Sequence, residues 1–355
     1  MVALALPVAA PAAPNPARPA GDSPQTGSIV ASGHVDCFPA GTLDAQGRIA
    51  TCETSAVLFD GRDVYIANDK PTGRRELSAV FSLPYGPAFS AAPVRYSLEA
   101  TIQAANKFED FALSPDRKTV FLGTGFDRYD ASRPDLDTYS TLLAWPVGAP
   151  EKVGVVERSE RGGYASSVAI RERLVAALGG AAYFKIEGLA AIPGDRLLFG
   201  VREQGRRHDD FGYQFRLVEF PYAQDGGKIK VGAAGRVVYD QPEVGAGQVP
   251  QTLGLSSVEY DSYNDRLIAL TSYELGGDRI GAYLWTLPMA DFAAGKPPRL
   301  VRDRAGAPLH FAHKAEDVTV IDADTLLVIH DDDRVYTGPF ERKPHEGYWD
   351  IVDLE

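Results

Sequence analysis

Three glutamates and two serines hold one fixed place in a phrase that occurs five times: Ser55, Glu109, Glu187, Ser256 and Glu316. The phrases occupy residues 54–59, 108–113, 186–191, 255–260 and 315–320. Three carboxylates that meet in space repel one another unless something neutralises them. With two hydroxyls and water they form an all-oxygen set of about six to eight ligands, which suits a hard cation. Flexible geometry of that kind fits Ca²⁺ better than Mg²⁺, so calcium is the expected cofactor. A rival neutraliser stands beside it. Lys107, Lys185 and Lys314 each precede a glutamate by two residues, and positions i and i+2 share a face of an extended strand. An ion-paired ring without metal is therefore the competing expectation.

Each phrase is followed by a turn and a second apolar run, and charge crowds where those runs end. The ends read Asn68-Asp69-Lys70, Asp127-Arg128, Arg202-Glu203, Ser272-Tyr273-Glu274 and His330-Asp331-Asp332-Asp333. Charge at strand ends, where nothing needs to pack, is either a site signal or solvated loop charge. Asp69 and Glu203 are the candidates for proton transfer, and Lys70, Arg128 and Arg202 the candidates for holding substrate negative charge. His310 and His313 flank the last phrase and could ligate a transition metal or serve structure alone. The run Arg202, Arg206, Arg207, His208 is either an anion site or a solvated loop. Glu259, three residues beyond Ser256, could replace that serine through a register shift. The chain has no Gly-x-Ser-x-Gly elbow, His-Glu-x-x-His, Walker A or Gly-x-Gly-x-x-Gly sequence, which removes the reactions those motifs carry.

The elements that would position these residues are strands. Asp60-Gly61, Ser114-Pro115-Asp116, Pro193-Gly194-Asp195, Asn264-Asp265 and Asp322-Ala323-Asp324 supply the turns of five hairpins. Third strands read at 142–145, 215–220, 282–285 and 334–336, and fourth strands at 95–98, 153–156, 236–239 and 299–301. Five such units predict an all-β, five-bladed β-propeller of four-stranded antiparallel blades around a central channel, with six blades as the alternative. A sandwich or barrel gives no reason for one polar position recurring in five hairpins. The first strand of each blade would line the axis, and residues 28–31 would close the ring. Insertions read at 127–137, 168–182 and 204–213, with a short helix expected within 164–178.

The 355 residues are 45% hydrophobic and 24% charged, enough for a large core. A net charge of −12 argues against nucleic acid as a partner, and no run approaches the ~18 apolar residues of a membrane span. Residues 1–26 read as a signal-peptide remnant and an Ala/Pro-rich lead, with a small-residue cleavage pattern at Ala10-Pro11-Ala12. Residues 27–355 read as one propeller domain, periplasmic or secreted. Cys37 and Cys52, the two cysteines, are expected to form a disulfide that pins the N-terminal segment.

The Ser, Glu, Glu, Ser, Glu order resembles the calcium-activated apyrases, five-bladed propellers whose central calcium is held at the starts of inner strands. Residues 66–73, Ile-Ala-Asn-Asp-Lys-Pro-Thr-Gly, are similar to that family's Asp-Asp-Arg-Thr-Gly phrase, with Asn68 at its first Asp and Lys70 at its Arg. The resemblance implies that Ser55, Glu109, Glu187, Ser256 and Glu316 hold calcium and that Asp69 lies beside phosphate. The phrases at 186–190 and 315–317 also resemble phytase-like esterase and uncharacterised secreted bacterial propellers. Two functions follow as expectations. The first is a calcium-dependent hydrolase of a phosphorylated or otherwise anionic small substrate. The alternative is a non-catalytic module that binds a partner or glycan while calcium staples the ring. A lyase or lactonase using the same ion is a third.

Overall fold

A computed structural model describes residues 25–86, 89–225, 228–332 and 341–355. Residues 1–24 of the leader read at 1–26, and the strand read at 334–336, lie outside the described residues. The chain begins with β1 (Gly27–Asp36) and then builds five antiparallel blades in sequence order. Blade 1 holds β2 (Thr54–Phe59), β3 (Asp63–Asn68), β4 (Val80–Pro84) and β5 (Arg95–Tyr96). Blade 2 holds β6 (Phe108–Leu113), β7 (Thr119–Thr124), β8 (Leu142–Pro146) and β9 (Gly154–Val155). A small hairpin, β10 (Ser159–Arg161) and β11 (Tyr164–Ser166), and a helix over Val168–Ala177 follow it. Blade 3 comprises β12 (Tyr183–Ile192), β13 (Arg196–Arg207) and β14 (Asp210–Asp225), the last flanked by β15 (Lys228–Val231) and β16 (Arg236–Asp240). Blade 4 comprises β17 (Gly254–Asp261), β18 (Arg266–Glu274) and β19 (Ile280–Pro288), edged by β20 (Arg299–Leu300) and β21 (His310–Phe311). Blade 5 holds β22 (Ala315–Val320), β23 (Thr325–His330) and β24 (Glu346–Leu354), and β1 returns to lie outermost against β24.

The five blades close into a ring because each inner hairpin is apolar on both faces. Successive strand residues point to opposite sides, so each blade needs a neighbour on either side. On β18, Leu267 and Ala269 enter the core shared with blade 3, while Ile268 and Leu270 enter the one shared with blade 5. On β3, Tyr65 faces blade 2 and Ile66 faces blade 5. Five hydrophobic clusters result, one at each blade junction, including the junction between blades 5 and 1. Each large side chain fully buried there contributes about 1.5–3 kcal/mol.

The seam differs in detail from its sequence reading. The third strand of blade 5 is β24, and β1 runs from Gly27 to Asp36 with Gly27 opposite Leu354 and Asp36 opposite Glu346. The Cys37–Cys52 disulfide forms, and both cysteines are buried. It joins the end of β1 to the segment entering β2, so it ties blade 5 to blade 1. Among the described residues no helix is long and apolar enough to cross a membrane.

All five recurring polar residues sit at β-bulges. The register of the inner hairpin slips between Thr54 and Ala56, Phe108 and Asp110, Ile186 and Gly188, Leu255 and Ser257, and Ala315 and Asp317. In each case the skipped residue is Ser55, Glu109, Glu187, Ser256 or Glu316. A bulge inserts one unpaired residue and re-aims its side chain. Five bulges at one level therefore turn five side chains toward one mouth of the axis.

Candidate functional site

The bulged residues open into a polar cavity of about 410 Å³ at that mouth, lined by six cationic and seven carboxylate side chains. Tyr139 is its single aromatic ring among the described residues. Every site residue read from the sequence except Ser256 lines it: Ser55, Asp69, Lys70, Glu109, Arg128, Glu187, Arg202, Glu203 and Glu316. Ser256 lies just behind, reached by Arg202.

The charges form an alternating chain around the axis. Lys107 Nζ lies 3.3 Å from Asp69 Oδ1 and 2.9 Å from Glu109 Oε1. Lys185 Nζ lies 3.5 Å from the same Glu109 oxygen and in contact with Glu187. Arg202 continues to Glu187 and Glu274, each at 3.2 Å. Lys314 then joins Glu274 at 2.9 Å to Glu316 at 2.7 Å. The lysine–glutamate pairing expected of an extended strand is present, but local irregularity produces it. Lys107 occupies the left-handed region at φ 64°, a conformation costing about 1–2 kcal/mol outside glycine. Hydrogen bonds from its amide to Asp69 O and from Gly125 N–H to its carbonyl hold it there. Lys185 is followed by two register slips in β12, one on either side of Ile186.

Burial and these cations split the carboxyls. Burial raises Glu109 to about 8 against the pull of Lys107 and Lys185, and raises Glu316 to about 7 against Lys314. Burial acts likewise on Glu187, but Arg202, Lys185 and Lys314 outweigh it and keep that group below the ordinary range. Glu274 falls to about 2 because Lys314 and Arg202 overcome its desolvation. At the rim, burial opposes the charge of Asp69, yet Lys107, Lys70 and Lys185 hold it ionised. Glu203 is raised by burial, and it accepts a 2.6 Å hydrogen bond from the Tyr183 hydroxyl.

The arrangement does not fit the expected calcium ion. Each glutamate of the ring already touches an ammonium or guanidinium group, and Ser256 Oγ accepts from Arg202 at 2.9 Å. Ser55 donates its hydroxyl to Phe108 O at 2.6 Å. Among the described residues, Glu109, Glu187 and Glu316 do not bring one oxygen each within 4.8 Å of one another. An added unit charge about 4 Å from each lysine would be repelled by about 4 kcal/mol per pair at an effective dielectric near 20. Among the described residues the one carboxylate–histidine grouping that close is Asp36, His345 and Glu346 on the seam, where Lys343 already engages Glu346 at 2.8 Å.

A second polar layer lies one residue deeper, unassigned in the sequence reading. Asp110, Ser257 and Asp317 each follow a bulged residue, and all three are buried. Asp317 accepts from Val57 N–H at 2.6 Å, Val318 N–H at 2.6 Å and the Ser257 hydroxyl at 2.5 Å. Asp110 accepts from Leu189 N–H at 2.7 Å and Val258 N–H at 3.3 Å. Burial raises both, Asp317 to about 7 and Asp110, with the charge of Asp317 beside it, well above the carboxylate range. One proton shared between them explains how two acids coexist there. The pair ties together strands of all five blades.

Arg202 is placed differently from its expected substrate-binding role, since it is 1% exposed and its contacts are protein oxygens. Lys70 and Arg128 remain at the rim, 60% and 54% exposed, with Arg128 lying over the Tyr139 ring at 4.8 Å. Arg206 and Arg207 sit at an exposed hairpin tip paired with Asp210 and Asp209. His310 bonds Tyr273 at 3.0 Å and His313 bonds Asp332 at 2.7 Å. Glu259 pairs in register with Ile268 below the mouth, so Ser256 keeps the ring position. Sequence reading missed Tyr139 and did not select Glu274 and Asp331. The last two stand within the charged strand ends; Tyr139 lies just beyond the insertion at 127–137, in the connection from β7 to β8, with no repeating neighbour.

No protein-family model matches the chain, and no curated protein matches it. Among solved structures it is similar to the PQQ-bound aldose sugar dehydrogenase of Streptomyces coelicolor, at 13% identity and a TM-score of 0.43 over 97% of this chain and 100% of that one. It is similar to the catalytic domain of the Coprinopsis cinerea GH62 α-L-arabinofuranosidase at 12% identity and 0.44, over 93% and 96% of the two chains. The exo-β-1,3-galactanase 1,3Gal43A of Clostridium thermocellum matches at 9% identity and 0.44, over 87% and 61%. At these values the likeness assigns no activity to this chain.

Proposed function

We propose that the axial mouth binds a small, hydroxyl-bearing anion, such as a sugar acid or sugar phosphate, and hydrolyses it by carboxyl acid–base chemistry. The observation that carries this reading is one polar cavity faced by two carboxyls in different states, beside two exposed cations. Asp69 is held ionised between Lys107 and Lys70, while burial favours the protonated form of Glu203. Environments that push two carboxyls apart separate a base from an acid. In this reading Asp69 takes a proton from water as the water oxygen bonds to the reacting carbon or phosphorus, and Glu203 protonates the departing oxygen. Exchange with solvent restores both. Lys70 and Arg128 hold the anionic group at the rim, and the charged ring meets the hydroxyls. The volume is within the ~300–1,000 Å³ usual for small-ligand sites. The oxidised cysteine pair supports a place of work outside the cytoplasm.

Titration calorimetry with glucuronate, glucose 6-phosphate and glucose tests the binding step. The anions should bind and the neutral sugar should not, and Lys70→Ala with Arg128→Ala should weaken the anions about 10- to 100-fold, as expected for a lost charge-assisted hydrogen bond. Hydrolysis of p-nitrophenyl esters, phosphates and glycosides tests the chemistry, with Asp69→Asn and Glu203→Gln expected to abolish turnover but retain binding. Equal binding by wild type and the rim variant would sink the reading. Binding without any turnover would leave a recognition module.

A further inference from the structure

The guanidinium of Arg202 is surrounded in the way a metal ion would be. Its Nη1 lies 2.9 Å from Ser256 Oγ, 2.8 Å from Ser272 Oγ, 3.4 Å from Leu255 O and 3.2 Å from Glu187 Oε2. Its Nη2 lies 3.2 Å from Glu274 Oε1. Two carboxylates, two hydroxyls and one carbonyl make five oxygens from blades 3 and 4 around one positive group. That donor set belongs to hard cations. The Glu187 oxygen is buried and makes no aligned hydrogen bond, so its attraction to the guanidinium is by charge alone, as it would be to a spherical ion. Ser256 and Ser272 stand 2.7 Å apart and both turn toward the same nitrogen. The side chain is clamped along its length. A Cβ at Gly254 would fall 3.0 Å from Arg202 Cγ, and the Tyr213 ring covers the guanidinium at 5.0 Å.

We infer that Arg202 is a tethered cation occupying an all-oxygen cage, so that the protein carries its axial charge covalently and needs no divalent ion there. It follows that shortening this side chain converts the cage into a site for calcium. Glu187 and Glu274 would then border two hydroxyls and the volume of the lost guanidinium, each still paired with one lysine, Lys185 and Lys314. The ion that enters therefore works against two ammonium groups instead of two and a guanidinium, and binds weakly. The inference concerns the charge that holds blades 3 and 4 together, and it stands whether or not the neighbouring cavity hydrolyses anything.

Terbium luminescence sensitised by tyrosine tests it directly, because Tyr213 flanks the cage. Wild-type protein stripped with EDTA should show no saturable terbium emission and no change in Tm with calcium. Arg202→Ala should melt several degrees lower and show saturable emission that calcium displaces, with a dissociation constant of about 10⁻⁵–10⁻³ M. Calcium at concentrations above that constant should restore part of the lost Tm, by linkage to the folded state. Guanidinium ion at low millimolar concentration should do the same. Arg202→Lys, which keeps a charge in the cage, should fold and give no emission. Should Arg202→Ala fail to fold at all, its refolding yield with and without calcium or guanidinium gives the same readout. Two results would overturn the inference. One is wild type that itself binds terbium at a site lost in Arg202→Ala. The other is an Arg202→Ala protein that neither binds terbium nor recovers stability or yield with either cation.

Discussion

Replacing Asp110 by Asn and Asp317 by Ala should separate two roles within the deep carboxyl pair. Asp317→Ala strips the acceptor from Val57 N–H, Val318 N–H and the Ser257 hydroxyl. The hydroxyl can rotate, but the two amides cannot. At about 1–3 kcal/mol for each buried unsatisfied group, the loss is about 2–6 kcal/mol. Asp110→Asn is a different perturbation. If Asp110 carries the shared proton, the amide oxygen can still accept from Leu189 and the amide nitrogen can still donate to Asp317. The expected cost is below about 1 kcal/mol. The pH dependence sharpens the test. Both folded carboxyls stand above their unfolded values, so the folded protein binds more protons than the unfolded chain once pH exceeds the ordinary carboxylate range. Stability from this source is complete below that range and falls as pH rises toward 7 and beyond. One proton contributes a slope of about 1.4 kcal/mol per pH unit. Chemical denaturation at several values between pH 5 and 8 should show that slope flattened by about one proton in Asp110→Asn. An Asp110→Asn protein as unstable as Asp317→Ala, with the slope unchanged, would show that Asp110 is ionised and that no proton is shared.

Three further outcomes are expected. Reduction, or Cys37→Ser with Cys52→Ser, should cost about 3 kcal/mol for the short loop closed by the disulfide and lower Tm; an identical melt with and without reductant would count against the covalent tie. Gly125→Ala would place a Cβ 3.1 Å from Glu109 Oε1 and 3.3 Å from Asp127 Oδ1, displacing the Glu109 carboxyl from Lys107. Stability should fall by about 1 kcal/mol and anion affinity with it, and unchanged calorimetric binding would remove Glu109 from the site. At the mouth, Glu109 near 8 and Glu316 near 7 contribute stability that is lost as pH rises through those values. Glu274 near 2 contributes stability that is lost as pH falls toward that value. Stability should therefore peak in mildly acid solution, with Glu109→Gln flattening the alkaline limb and Glu274→Gln the acid limb in melts across pH.

Much of this was legible because repetition reports geometry. Five phrases with one polar letter could converge only on a shared axis, and they do so through bulges that no propensity reveals. The letter after it was equally telling and went unread. Asp110, Ser257 and Asp317 look like strand residues of ordinary polarity until two successive side chains are known to turn inward. Arg202 was read as a ligand-binding group because it follows a buried run. Its fate depends on Ser272 and Glu274 one blade away, which sequence spacing does not place. The stretch 204–213 reads as a loop since its Arg-rich, polar pattern has no buried face, yet it continues β13 and β14 as a hairpin whose base pairs with β12 at Phe184 and Tyr183. β4 went unread because Val80–Pro84 has no polar landmark and follows a loop containing Pro71 and Gly73.

The closure of blade 5 by β1 bears on how the chain is made. Gly27–Asp36 leaves the ribosome about 300 residues ahead of its partner Glu346–Leu354. At about 5–20 residues per second the strand waits on the order of 15–60 s before it can pair. Throughout that time a largely uncharged strand, with Ile29 and Val30 among its side chains, lacks its neighbour in the sheet, β24. The ring cannot shut until Glu346–Leu354 has been made. A chaperone that shields the nascent N-terminal strand would be a condition of the yield of this protein rather than of its final stability.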